Sequence, residues 1–312
     1  MAKTHKTGYH HRMTRNQFAR IVEMKTKVIS MGTFASATAY AYYIQGRLDV
    51  KNTIFMGLAT LFVDMGTTGF NTFFDYMRGT DNKTYTVEEE KVLVHEDVSP
   101  RSALLISLSL FAAAAVLGLI LAYQTSWALI PIGALCMATG YLYTGGPFPI
   151  SRTPFGELFA GGFLGPILFL ITLFTQGIAP NPRHIAASLP FLLIIAMILS
   201  VNNACDRVGD EANGRRTLAI LLKEKNAANL VGVEGFGAYI LSALLLVYKV
   251  YPRTLYPFLG VALMVFTMKH DQARKEGYRA ETKSKHMGFA TQSYVFFAIA
   301  FTLALALGRR IG

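Results

Sequence analysis

Cysteine, charge and metal-type histidine clusters are all scarce in this chain. Two cysteines in 312 residues cannot build the disulfide framework of a small secreted fold. The 7 histidines are scattered, and no two share a helix face at metal-ligand spacing, so a zinc site is not expected. Charged residues make up only 16% of the chain, against about a quarter in a soluble domain. With 52% hydrophobic residues, a disordered chain is excluded as well. Also missing is a short charged start followed by an apolar core, so no cleavable signal peptide is expected.

What is present is a series of long apolar runs with a mean hydropathy of +0.36. They lie at 28–44, 53–74, 103–123, 127–143, 155–174, 185–201, 230–248, 255–268 and 289–307. Most are long enough to cross about 30 Å of hydrocarbon as a helix. The reading is an all-α, polytopic membrane protein of nine spans: a basic arm at 1–20, then one intramembrane unit at 21–312. Basic residues test the count. With the N-terminus on the cytoplasmic side, 23 of the 30 Lys and Arg residues fall in inner loops, the bias expected of a correct topology. The arm is expected to meet anionic lipid. No nucleic-acid reading element is apparent, so nucleic acid is not an expected partner.

The 19 acids are few enough for their placement to carry information. The second span ends in Asn71, Asp75, Arg78 and Asp81; the sixth ends in Asn202, Asp206 and Asp210. Residues four apart lie on one helix face, so Asn71 and Asp75 form one oxygen-bearing stripe and Asn202, Asp206 and Asp210 another, both at the inner rim. Asn-x3-Asp recurs 131 residues apart, at Asn71 and Asn202, with four spans between, as an internal four-helix repeat would give. Hard oxygen ligands interleaved with arginine suit Mg²⁺ shared with phosphate oxygens, and do not suit zinc. Deeper in the second span, Asp64 is an intramembrane acid and therefore a functional candidate. Glu157, at the start of the fifth span, is a weaker one. A transporter carrying midplane acids is the rival class, and rim placement of the acids argues against it.

These stripes resemble the aspartate-rich motifs of the UbiA superfamily of intramembrane aromatic prenyltransferases, whose pattern is Asn-x3-Asp with a further Asp, and later Asp-x3-Asp. The segment from Tyr143 through Arg152 to Glu157, the stretch after the second motif from Asn213 to Ala219, and Glu23 to Lys27 look like the menaquinone branch, the 1,4-dihydroxy-2-naphthoate polyprenyltransferases. The resemblance runs from about residue 20 to the C-terminus. It departs from many members at Thr72, where a second acid would stand, and at Gly79, with Asp81 two residues later.

The resemblance implies a nine-helix bundle around a central cavity and Mg²⁺-dependent transfer of a polyprenyl group from an allylic diphosphate to 1,4-dihydroxy-2-naphthoate, with diphosphate and CO₂ leaving to give demethylmenaquinol. It places the mouth of the site on the cytoplasmic side of the cell membrane. It implies Asn71, Asp75, Asp206 and Asp210 as Mg²⁺ ligands and Lys27, Arg78 and Arg152 on the diphosphate. Asp81 becomes a diphosphate-side or base residue, Tyr143 a contact near the reactive carbon, and Asp64 a group that orients the acceptor. Homogentisate, 4-hydroxybenzoate, a phytylated ring and glycerol phosphate are the alternative acceptors within the family.

Overall fold

The computed structural model describes residues 13–81, 91–96 and 98–311. Residues 1–12 of the basic arm, and Lys83 and Glu88 to Glu90 of the second loop, lie outside the described residues. The described chain is helical and, among these residues, has no strand. A short helix α1 (Arg15–Ile21) precedes α2 (Val28–Gln45) and α3 (Val50–Met77). A single turn, α4 (Val92–His95), leads into α5 (Pro100–Gln124) and α6 (Leu129–Thr144). Next come α7 (Gly156–Gly162) and α8 (Leu168–Thr175), joined through a π-helical turn, Phe163–Ile167, that contains Pro166. The chain ends with α9 (Pro182–Ala212), α10 (Leu218–Val247), α11 (Leu255–Glu276) and α12 (Lys283–Ile311).

Local chemistry sets the ends of these helices. Thr14 opens α1 with a capping box to Gln17, which satisfies two first-turn donors. Asp49 and Asn181 cap α3 and α9 by accepting from Asn52 and His184 amides. Gly46, at φ 74°, closes α2 in the left-handed conformation that glycine adopts without strain. Pro182 sits in the first turn of α9, where the missing N–H costs nothing.

Among the described residues, six helices are long and apolar enough to cross a membrane: α3, α5, α9, α10, α12 and the composite Gly156–Thr175. Helix α6 is apolar but shorter. Helix α2 has 18 residues but turns Thr33 and Ser36 toward α12, where they meet Tyr294 and Thr302. Helix α11 runs past its apolar part into a charged end, with Arg274 and Lys275 in the last turn.

Lipid tails are as apolar as leucine, so helices in a membrane cohere through close packing and interhelical hydrogen bonds. Close approach is visible where α7 meets α9: a Cβ on Gly161 would stand 2.6 Å from the Leu192 carbonyl oxygen, and one on Gly165 2.7 Å from the Leu192 nitrogen. Gly165→Val is therefore expected to push these helices apart and cost about 1–3 kcal/mol, as overpacking does. Gly162→Ala is the control, because a Cβ there meets nothing within 4 Å. Thermal unfolding in detergent should separate the two variants. Around this contact Phe191, Phe297 and Phe301 are fully buried and pack edge to face or tilted. Phe297 and Phe301 of α12 are thus packing residues, whereas Phe296 of the same span is exposed. Helix α3 packs most extensively on α5 and helix α9 on α10, so each acid-bearing helix leans on its successor.

Candidate active site

Helix α3 carries the first acid stripe to one end of the bundle. Asn71 accepts a hydrogen bond from the Thr144 hydroxyl at the end of α6. One turn later comes Asp75, and the chain then reverses at Gly79 so that the Asp81 amide donates to the Asp75 carbonyl at 3.1 Å. Arg78 donates to the carbonyls of Thr144 and Gly146 and lies over the Phe74 ring, 5.2 Å from its centroid. It braces α3 against α6 while keeping its charge beside the stripe. Lys91 pairs with Asp81 at 3.2 Å and Glu23 at 3.4 Å. Burial alone would lower the Lys91 ammonium, but Glu23, Asp81 and Asp75 hold it above the ordinary lysine value, so it stays a cation.

Helix α9 brings the second stripe to the same end. Asp210 pairs with Arg215 at 2.8 Å, while its other oxygen, Oδ2, is buried without a partner. Arg215 also donates to the Ser151 carbonyl at 3.2 Å. The loop after α9 folds over Arg152, whose guanidinium donates to the Asn213 carbonyl at 2.5 Å; the Arg152 carbonyl accepts from the Arg216 amide at 2.9 Å. Arg215 lies within electrostatic reach of both Asp75 and Tyr143. It is the charge that joins the two stripes. Burial opposes its positive charge, but Asp210, Asp75 and Tyr143 together raise the guanidinium above its ordinary value.

The structure therefore gathers Asn71, Asp75, Arg78, Asp81, Tyr143, Arg152 and Asp210 at one end. The Tyr143 hydroxyl faces α7, 3.7 Å from where a Gly156 Cβ would stand. Asp206 is paired with Lys283 of α12 at 2.8 Å. Lys27 and Asp64 meet each other: the ammonium, only 4% exposed, pairs with Asp64 Oδ1 at 2.6 Å and donates to Thr68 at 3.1 Å. Ser30 donates to the second Asp64 oxygen at 2.5 Å.

Sequence reasoning missed Arg215, Lys91 and Lys283, which reach the acids from loops or from another helix, where helical spacing carries no signal. Arg215 did stand inside the segment after the second motif. Also missed was Glu234, a lone acid within the apolar run of α10, which is the kind of signal that marks function.

The donor set at this end fits magnesium. It is built from carboxylate and amide oxygens without sulfur, and the orphaned Asp210 Oδ2 is an available acceptor. Among the described residues no three His, Cys, Asp or Glu side chains converge as a metal cage.

The chain is 36% identical over 194 residues to 1,4-dihydroxy-2-naphthoate octaprenyltransferase of Bacillus subtilis, covering 62% of each chain. It is 29% identical over 210 residues to the protein of that name from Mycobacterium tuberculosis, covering 66% of this chain and 71% of the other. The chain thus spans about six-tenths of the Bacillus protein and seven-tenths of the mycobacterial one. A solved structure of a UbiA homolog from Archaeoglobus fulgidus, bound to GPP and Mg²⁺, superposes with a TM-score of 0.65 at 13% identity, over 93% of this chain and 99% of that one. The model of the UbiA prenyltransferase family matches residues 31–299, a span that contains both acid stripes, Arg215 and Tyr143. On that match, and with a fold to suit it, the chain belongs to the UbiA prenyltransferase family.

Proposed function

We propose that the protein transfers a polyprenyl group from an allylic diphosphate to 1,4-dihydroxy-2-naphthoate, releasing diphosphate and CO₂ and giving demethylmenaquinol. The observation that carries this reading is Arg215: paired with Asp210 and within reach of Asp75 and Tyr143, it ties two distant acid motifs into one site. The relatives named for the same naphthoate reaction supply the acceptor.

In this reading Asn71, Asp75, Asp206 and Asp210 hold magnesium. When bound, the ion supplies positive charge to the leaving diphosphate, usually the dominant contribution in such a reaction. Arg78 and Arg152 bind the diphosphate, each with donors beyond those it spends inside the chain; Lys27, which spends its three donors on Asp64 and Thr68, reaches the diphosphate by exchanging one of them. Asp81, held by Lys91, stands on the diphosphate side. Departure of the diphosphate leaves an allylic cation. The ring carbon bearing the carboxylate attacks it near Tyr143, and CO₂ is then lost from that carbon. Asp64, fixed by Lys27 and Ser30, keeps the wall beneath the acceptor polar. In this reading nine spans cross the cell membrane with the N-terminus and the site mouth on the cytoplasmic side, an orientation supported by the distribution of basic residues.

The test is a product assay in lipid nanodiscs with Mg²⁺, a long allylic diphosphate and 1,4-dihydroxy-2-naphthoate, read by mass spectrometry. A prenylated, decarboxylated naphthoquinol that vanishes with a chelator is expected. Diphosphate release with prenylation of a different ring would reassign the acceptor.

A further inference from the structure

Below the rim, a second polar group is buried between α7, α9 and α10. The close approach of α7 to α9 sets Glu157 against Asn203, whose side-chain amide donates to Glu157 Oε1 at 2.9 Å. Glu157 is 2% exposed, and its other oxygen, Oε2, is buried with no partner. On α10, Glu234 is 8% exposed and its Oε2 is likewise buried and unpartnered. Ser200 of α9 stands beside Glu234. The two carboxyls are within electrostatic reach of each other, and Glu157 is within reach of Tyr143 and Arg215.

Buried polar atoms are almost always satisfied, so orphans that share one neighbourhood call for an explanation. Acids inside a membrane bundle are costly and are kept for a purpose. These groups continue inward from Arg215 and Tyr143. A ligand that satisfied them would bring hydroxyl donors to the two glutamates and could turn an acidic substituent toward Arg215. A prenyl chain has no donors, and a diphosphate would be repelled.

We propose that Glu157 and Glu234 form the subsite that accepts hydrogen bonds from the hydroxyl groups of the aromatic acceptor, an inference that rests on the prenyl-transfer reading above. Asn203 is the positioning residue that fixes the Glu157 carboxyl.

The test compares binding of three probes to the full chain in nanodiscs under anaerobic conditions: 1,4-dihydroxy-2-naphthoate, 2-naphthoate, which lacks both hydroxyls, and an unreactive prenyl thiolodiphosphate with Mg²⁺. The wild-type protein should bind the dihydroxy ring about tenfold or more tightly than 2-naphthoate, the size of one or two buried hydrogen bonds. Glu157→Gln and Glu234→Gln should each weaken the dihydroxy ring about tenfold while leaving 2-naphthoate and the thiolodiphosphate within about twofold. Retained thiolodiphosphate binding reports a folded site. Equal losses for all three probes, or a wild-type protein that does not distinguish the two naphthoates, would overturn the subsite. If the probes separate as expected but no prenylated naphthoate forms in the product assay, the subsite stands and the acceptor assignment falls. If turnover of the naphthoate persists and the variants bind like wild type, the reverse holds.

Discussion

Asp75→Ala is expected to lower the rate of prenyl transfer by about 10²–10³-fold, and Asp210→Ala to do the same, as loss of one preorganised electrostatic group at a charge-developing centre does. The two residues lie on different helices, α3 and α9, yet both are within reach of Arg215. Each helps hold the positive charge needed when the diphosphate departs, so removing either leaves an incomplete site. Thermal unfolding should change much less than turnover, because Asp75 stands at the helix rim and is only half-buried. Asp75→Asn, which keeps an oxygen but removes the charge, should fall between the two. The measurement is initial rate in nanodiscs at saturating Mg²⁺, beside melting temperature. A rate within a few-fold of wild type for Asp75→Ala would remove this residue from the site.

The second large effect is on stability. Lys27→Met should destabilise the protein by about 3–5 kcal/mol, because it strands Asp64 as an uncompensated acid among buried groups. Asp64 would keep only Ser30 on its Oδ2, too little to replace a 2.6 Å ion pair. The double variant Lys27→Met with Asp64→Leu should recover most of the loss, since replacing a whole buried pair by apolar side chains is often neutral. Thermal or chemical unfolding in detergent reads both. The pair also separates two roles for Lys27: if it binds diphosphate, the double variant folds but turns over poorly. Equal melting temperatures for Lys27→Met and wild type would contradict the buried-pair account.

Hydropathy located the helices well and their ends badly, for a physical reason. An apolar run marks only the length of helix in contact with hydrocarbon, whereas the backbone continues to be helical beyond it. The run ending at Val201 continues to Ala212 in α9, and the one ending at Met268 continues to Glu276 in α11. The acid stripe of the second motif therefore lies on a helical extension, which is what makes the four-residue spacing of Asp206 and Asp210 meaningful. Spacing along one helix was legible; partners contributed from elsewhere were not. Arg215 follows Asp210 by five residues through a loop, and Lys283 meets Asp206 from α12, so neither pairing obeys a helical period. The Lys27–Asp64 pair joins α3 to the residue that opens α2. Hydropathy gives no signal for it, since Lys27 precedes the first apolar run while Asp64 lies well inside the second. Glu157 was visible as an isolated acid, but its link to Asn203 and Glu234 depends on the glycine-mediated contact of α7 with α9, which composition does not encode.

The central claim is that motifs 131 residues apart make one metal-and-diphosphate site. It is tested most directly by titrating Mn²⁺ into the full protein in nanodiscs by electron paramagnetic resonance, with and without an unreactive prenyl thiolodiphosphate, in wild type, Asp75→Ala and Asp210→Ala. The account predicts that the diphosphate tightens Mn²⁺ binding in the wild-type protein by tenfold or more, roughly one bridging interaction, and that either substitution alone removes the coupling. Full coupling in one of the single variants would mean that its motif acts apart from the site, and would contradict the account.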